Sequence, residues 1–186
     1  MIKGILMRKI KYFPAFVLDV FLHKIRLGAI KFRALRYPGI DGTVRLGGSC
    51  DLTGPPQSIA IGKGTYLNGA HLMGDCNGKI VIGEDCCVGY RVSIKSWTHD
   101  ISNPCLRIDG QIAGRSSDIV IGDRVWIGDG VFIREGVAIG SDSIIGANTV
   151  VTKSFPPGSI VAGVPAKMLR LRQTGGQDNN EHHSPE

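Results

Sequence analysis

From Ile121 to Val151 an aliphatic side chain returns at every sixth position: Ile121, Ile127, Ile133, Ile139, Ile145 and Val151. Glycine follows four of them, at Gly122, Gly128, Gly140 and Gly146, while Arg134 and Thr152 take that place elsewhere. Four positions after each aliphatic stand Val125, Val131, Val137, Ser143 and Thr149. The rule recurs earlier, in Ile82-Gly83, Val88-Gly89 and Ile94 with Cys86 and Val92, and in Ile61-Gly62 and Leu67 with Thr65 and His71. Leu46-Gly47 opens a further block. Six residues make one short strand and one turn, and three such units close a triangular coil of about 18 residues. The aliphatic points into the prism, the small residue fits beside it, and stacked coils pair backbone to backbone so that each hides its neighbour's edges. A sandwich with glycine turns has no reason to sustain this period. The chain is therefore expected to be all-β, a parallel β-helix of hexapeptide repeats. Leu67 to Ile82 spans 15 positions, not a multiple of six, so small insertions at corners are expected.

The repeat is placed at 44–170, with a break over 98–118 long enough to be functional. Ahead of it, 1–43 reads as a basic, amphipathic helical segment. Phe13, Phe16, Val17, Val20, Phe21, Leu27 and Ile30 recur there at near-helical spacing, interrupted near Pro14 and Gly28. Behind it, Pro156-Pro157-Gly158, Gly163 and Pro165 lead to an expected short C-terminal helix, and 171–186 reads as a polar, disordered tail. Net charge is +6, but nine Lys or Arg stand in residues 1–37 against one acid, Asp19. The basicity thus belongs to a segment, which argues against a nucleic-acid-binding body. It directs residues 1–37 toward an anionic membrane face, or toward packing on the prism or a neighbouring subunit. The five cysteines, Cys50, Cys76, Cys86, Cys87 and Cys105, have no metal-type spacing and read as reduced thiols of a cytoplasmic protein. No apolar run is long enough to span a bilayer, and no signal peptide is read at the start.

The stretch Ile119 to Lys167, IVIGDRVWIGDGVFIREGVAIGSDSIIGANTVVTKSFPPGSIVAGVPAK, resembles the hexapeptide-repeat acyltransferases. The likeness is to the galactoside, maltose and nodulation-sugar O-acetyltransferases and their polysaccharide-modifying relatives. It implies a left-handed β-helix, an exception to right-handed crossovers. It also implies acetyl-CoA as co-substrate, a sugar acceptor, a homotrimer with each site between neighbouring subunits, and no metal in catalysis. In such enzymes a histidine just after the third strand of a coil opens a loop and acts as base. Ile82-Gly83-Glu84 leading to Ser96-Trp97-Thr98-His99-Asp100 places that histidine at His99. A sugar hydroxyl is a poor nucleophile, and an imidazole can take its proton as it attacks the thioester. The relatives orient the base with an Asn on a preceding coil. Ungapped alignment through His99 puts that Asn at Gly69, so Asn68 and His71 are both candidates. Trp126 matches an indole near the site. Arg107 matches a loop arginine that touches an anionic acceptor or holds the loop. The family's CoA-side positions fall on Asp129, Ala147, Thr152, Lys153 and Lys167; the two lysines would neutralise phosphates and Thr152 would bond the pantetheine amide. An acid at Asp129 fits poorly beside an anionic cofactor.

Other functions share the prism. A carbonic anhydrase of this shape needs three zinc histidines, and only His71 and His99 lie inside the repeat. A nucleotide-sugar N-acetyltransferase, a xenobiotic acetyltransferase and a non-enzymatic β-helix scaffold stand as alternatives, the last separable because a scaffold should not bind acetyl-CoA.

Overall fold

In a computed structural model, residues 35–100 and 114–172 are described, together with positions 17, 22, 28, 32 and 102 and strand positions 107, 108, 111 and 112. The chain winds as a left-handed parallel β-helix with three flat faces. The first face stacks Gly39–Ile40, Ile59–Ile61, Ile80–Ile82, Ile119–Ile121 and Ala138–Ile139. The second stacks Arg45–Gly47, Tyr66–Asn68, Cys87–Val88, Trp126–Ile127, Ile144–Ile145 and Ser159–Ala162. The third stacks Asp51–Thr53, His71–Met73, Ser93–Lys95, Phe132–Ile133 and Val150–Val151. The hexad rule appears directly in the register. Leu46, Leu67, Val88, Ile127, Ile145 and Val161 form one inward column, and Ile61, Ile82, Ile121 and Ile139 form another. The residues expected beside them, Thr65, Cys86, Val92, Val125, Val131, Val137, Ser143 and Thr149, are all buried.

Every insertion falls at one corner, where the third face passes to the first. Leu52 to Ile61 takes nine positions, Leu72 to Ile82 ten, and Ile94 to Ile121 twenty-seven. Insertions at the other corners would break the columns of left-handed residues that turn the chain there. Gly64, Asp85, Arg124, Asp142 and Gly158 line the corner between first and second faces, all with φ between 53° and 72°. Gly48, Gly69, Arg91, Gly130, Asn148 and Gly163 line the corner between second and third, with φ from 55° to 101°.

The structure corrects two expectations. His71 does not occupy the inward position after Leu67. The step from Leu67 to Leu72 is five residues, one short, so Ala70 fills the core and His71 turns outward between Asp51 and Ser93. The short C-terminal helix is also absent. After Gly163 (φ 101°) and a cis Val164–Pro165 bond the chain reverses and runs back as Lys167–Leu171, antiparallel to Ser159–Ala162. The open edge of the last coil offers unpaired N–H and C=O groups, and a strand satisfies more of them than a helix would. Leu171 and Arg172 of the expected tail belong to this end; the rest of it lies outside the described residues. Of the expected N-terminal helical segment, residues 1–34 lie outside the described residues too, apart from helical positions at Val17, Leu22, Gly28 and Phe32, while its last part is not helical: Tyr37 is buried in the core and Gly39–Ile40 already starts the first face. Among the described residues no helix is long and apolar enough to cross a membrane.

Candidate active site

The corner that collects the insertions also carries His99. Trp97–His99 pairs antiparallel with Gly114–Ser116, in the register Trp97 with Ser116, Thr98 with Arg115, and His99 with Gly114. The break in the hexads is thus a two-stranded ribbon projecting from the third coil. Alternation puts Trp97, His99, Gly114 and Ser116 on one face and Thr98 and Arg115 on the other. Trp97 and His99 meet edge to face, ring centroids 5.1 Å apart. The Trp97 indole lies over Gly114, where a Cβ would collide with it, so glycine is required at that position. His99 is exposed. Asp100 does not orient it: its carboxylate accepts the backbone N–H and the hydroxyl of Ser102, bonds that hold it below the ordinary carboxylate range.

The ribbon is tied at its base. Ser117 donates its N–H to the Ser96 carbonyl, and the Ser96 hydroxyl donates to the Gly78 carbonyl at 2.7 Å. On one face Ser116 donates to Asp75, in the insertion of the preceding coil, at 2.5 Å. That bond is the main reason the Asp75 carboxyl lies below its usual range. On the other face Arg115 donates to Glu135 of the following coil through Nε at 3.1 Å and a terminal nitrogen at 2.7 Å, and Arg134 grips the same oxygen. Burial works to raise the Glu135 carboxyl, but the Arg134 and Arg115 bonds outweigh it and the net shift is downward. Sequence reasoning missed Asp75, Arg115 and Glu135. One signal was present: Arg134-Glu135 stands where the repeat otherwise places glycine.

The remaining expected residues divide between two edges of the third face. Thr152 and Lys153 are exposed on the His99 side, with the Lys153 ammonium 5.8 Å from the centroid of Phe155. Asn68, Asp129, Ala147 and Lys167 lie on the opposite edge, where the second face turns into the third. The Asp129 carboxylate accepts the Tyr90 N–H at 2.9 Å, as Asp123 accepts that of Glu84 at the neighbouring corner. Asp129 therefore caps a coil, which explains an acid at that position. Asn68 is half-buried with its oxygen against Gly47, and His71 faces Asp51 at 3.8 Å. Neither is brought to His99 within one chain. Trp126 stands out from the second face, 57% exposed. Arg107 pairs with Ile112 in a small hairpin; its side chain lies outside the described residues. Cys50, Cys76, Cys86 and Cys87 are free thiols. No cluster of metal-ligating side chains occurs among the described residues.

Residues 118–153 match the family described as bacterial transferase hexapeptide (six repeats). Among solved structures, a maltose O-acetyltransferase from Clostridium difficile 630 is 28% identical over 71% of this chain and 68% of its own, with a TM-score of 0.61. A galactoside acetyltransferase in complex with coenzyme A is 31% identical over 69% of this chain, with a TM-score of 0.60; the match spans 64% of that enzyme's length. A hexapeptide-repeat-containing acetyltransferase from Vibrio cholerae O1 biovar eltor, complexed with acetyl coenzyme A, is 26% identical over 82% of this chain and 88% of its own, with a TM-score of 0.59. Residues 118–153 thus carry the bacterial transferase hexapeptide repeat, and the chain is built like the solved hexapeptide-repeat acetyltransferases.

Proposed function

We propose that this protein transfers an acetyl group from acetyl-CoA to a sugar hydroxyl, with His99 as general base. The observation that carries the reading is His99 itself: an exposed imidazole on the ribbon that leaves the third coil, packed on Trp97 and engaged by no acid among the described residues. The likeness to enzymes named for maltose and galactoside acetylation supports the acceptor class. The imidazole takes the hydroxyl proton as the oxygen attacks the thioester carbonyl; the C–S bond then breaks and the CoA thiolate leaves, receiving that proton. The acceptor in this reading is a cell-surface polysaccharide or a lipid-linked glycan.

Two edges flank the third face, and the expected groups are split between them. A homotrimer reconciles this. The His99 edge of one copy faces the Asn68, Asp129, Ala147 and Lys167 edge of its neighbour, and acetyl-CoA lies between. Asn68 then orients the imidazole across the boundary, Trp126 walls the site, and Lys153 and Lys167 meet CoA phosphates. The basic segment 1–37 adds contact with an anionic inner-membrane surface, tested by flotation with acidic vesicles at low salt, where absence of binding removes that contact.

His99→Ala is expected to lower turnover by about 10²–10⁴-fold, the usual worth of a general base. It should leave the fold and acetyl-CoA binding intact, because the proposed cofactor contacts lie on later coils. Thiol release with a panel of sugars, read beside a cofactor titration, checks this. Near-normal turnover in a folded, cofactor-binding variant would overturn the mechanism.

A further inference from the structure

We infer that Asp75 and Glu135 are positioning residues that hold the His99 ribbon from its two faces and so set where the imidazole stands. The inference rests on the reading of His99 as base. A two-stranded ribbon of three residue pairs has little stability of its own. Its placement must come from what grips it.

The face that carries His99 is gripped from the preceding coil. Ser116, two residues from Gly114 opposite His99, donates to Asp75, forty-one positions earlier in the chain. Asp75 is itself fixed by a tight turn in which its N–H donates to the Gly78 carbonyl at 2.9 Å and its carboxylate accepts the Asn77 N–H. The reverse face is gripped from the following coil. Arg115 opposes Thr98, next to His99, and its guanidinium binds Glu135, which also holds Arg134. The Glu135 side chain is 8% exposed while that of Arg115 is 46% exposed, so the contact is only partly sheltered from the screening that weakens surface pairs. The two grips reach the same ribbon from coils above and below it and act on opposite faces. Neither carboxylate touches the imidazole. Loss of either lets the ribbon tilt about its root at Ser96, and displacements near 1 Å cost catalysis heavily.

The test compares Ser116→Ala, Asp75→Ala, Asp75→Asn and Glu135→Ala with His99→Ala. Turnover with the sugar acceptors found by the panel should fall at least about tenfold in Ser116→Ala, Asp75→Ala and Glu135→Ala, with KM for acetyl-CoA unchanged. Asp75→Asn keeps an oxygen for the Ser116 hydroxyl and should restore most of it; a purely electrostatic role for Asp75 would not be rescued. A second readout needs no acceptor. In a Trp126→Phe background Trp97 is the sole tryptophan. The change in its emission on adding His99→Ala reports the ring contact, and that change should shrink in the variants that lose a grip. Normal turnover and an undiminished emission change in all three would overturn the inference. If His99→Ala is active instead, the general-base reading fails, while the emission data still decide whether the ribbon is gripped.

Discussion

At the scale of single residues the prism shows where its interior and corners are not optimal. Thr149 is fully buried, and its hydroxyl has no hydrogen-bond partner. It occupies the column that Ala70, Val92 and Val131 fill in earlier coils. A buried hydroxyl without a partner keeps its desolvation cost. Thr149→Val retains the shape and should raise stability by about 1 kcal/mol, or roughly 2–4 °C in Tm for a chain of this size, by thermal unfolding. Arg91 holds φ 55°, where its column otherwise uses mostly glycine. The left-handed conformation costs a non-glycine residue roughly 1–2 kcal/mol, and glycine loses about 0.5–1 kcal/mol more chain entropy on folding. The first effect is larger, so Arg91→Gly should stabilise by about 0.5 kcal/mol in denaturant titration. His99 follows another logic. Its ring is not needed to fill the core, so its replacement is read in turnover and not in Tm.

At the scale of elements, each corner column is locked by carboxylates from one coil to the next. Asp142 accepts both Nε and a terminal nitrogen of Arg124 at 2.8 Å, joining two left-handed corner residues of adjacent coils. The Arg124 bond, above all, lowers the Asp142 carboxyl below its usual range. A carboxylate whose folded pKa is depressed adds stability that is fully present above the unfolded pKa, about 4, and is lost as pH falls through the folded value. Asp142→Asn keeps a residue that tolerates the left-handed turn but removes the charge. The variant should melt below the parent at pH 7, and the two Tm curves should converge as pH drops below about 4. Curves that stay parallel would show the pair does not contribute. The ribbon obeys the same rule of coil-to-coil contact. Its grips come from coils on either side, which is why the sequence between His99 and Gly114 need not carry its own anchor.

At the scale of the whole molecule, the proposed trimer, drawn from the split of expected site residues between two edges, would make catalysis a property of the assembly. Mixed trimers test this directly. His99→Ala and Asn68→Ala chains, each with reduced turnover alone, can restore sites in which His99 from one parent faces Asn68 from the other. Random threefold assembly leaves about a quarter of the sites intact, so co-expressed chains should recover on the order of 25% of wild-type turnover. A mixture no more active than the mean of its parents would place both residues in one protomer. Sedimentation at micromolar concentration, showing a species three times the 20.0 kDa chain mass, is the companion measurement.

What the sequence determined by itself follows from local periodicity. Hexads from Ile121 to Val151 specify strand, turn and inward column at once, because each unit repeats the same steric problem. The break at 98–118 was legible for the same reason, because the rhythm stops there; the resemblance to the family then picked out His99 within it. The family's alignment, not the rhythm, suggested the CoA-side residues. Tertiary structure decided the rest. A five-residue step after Leu67 turned His71 outward, because one missing residue shifts every later side chain by one place. The last segment became a strand because the open edge of the final coil offered hydrogen bonds that only stacking creates. Asp129 proved to cap the Tyr90 N–H thirty-nine positions earlier, and Asp75 and Glu135 met the His99 ribbon from coils far away in sequence. Partners at such distances are brought together by the pitch of the helix, and a pattern with a period of six carries no record of them.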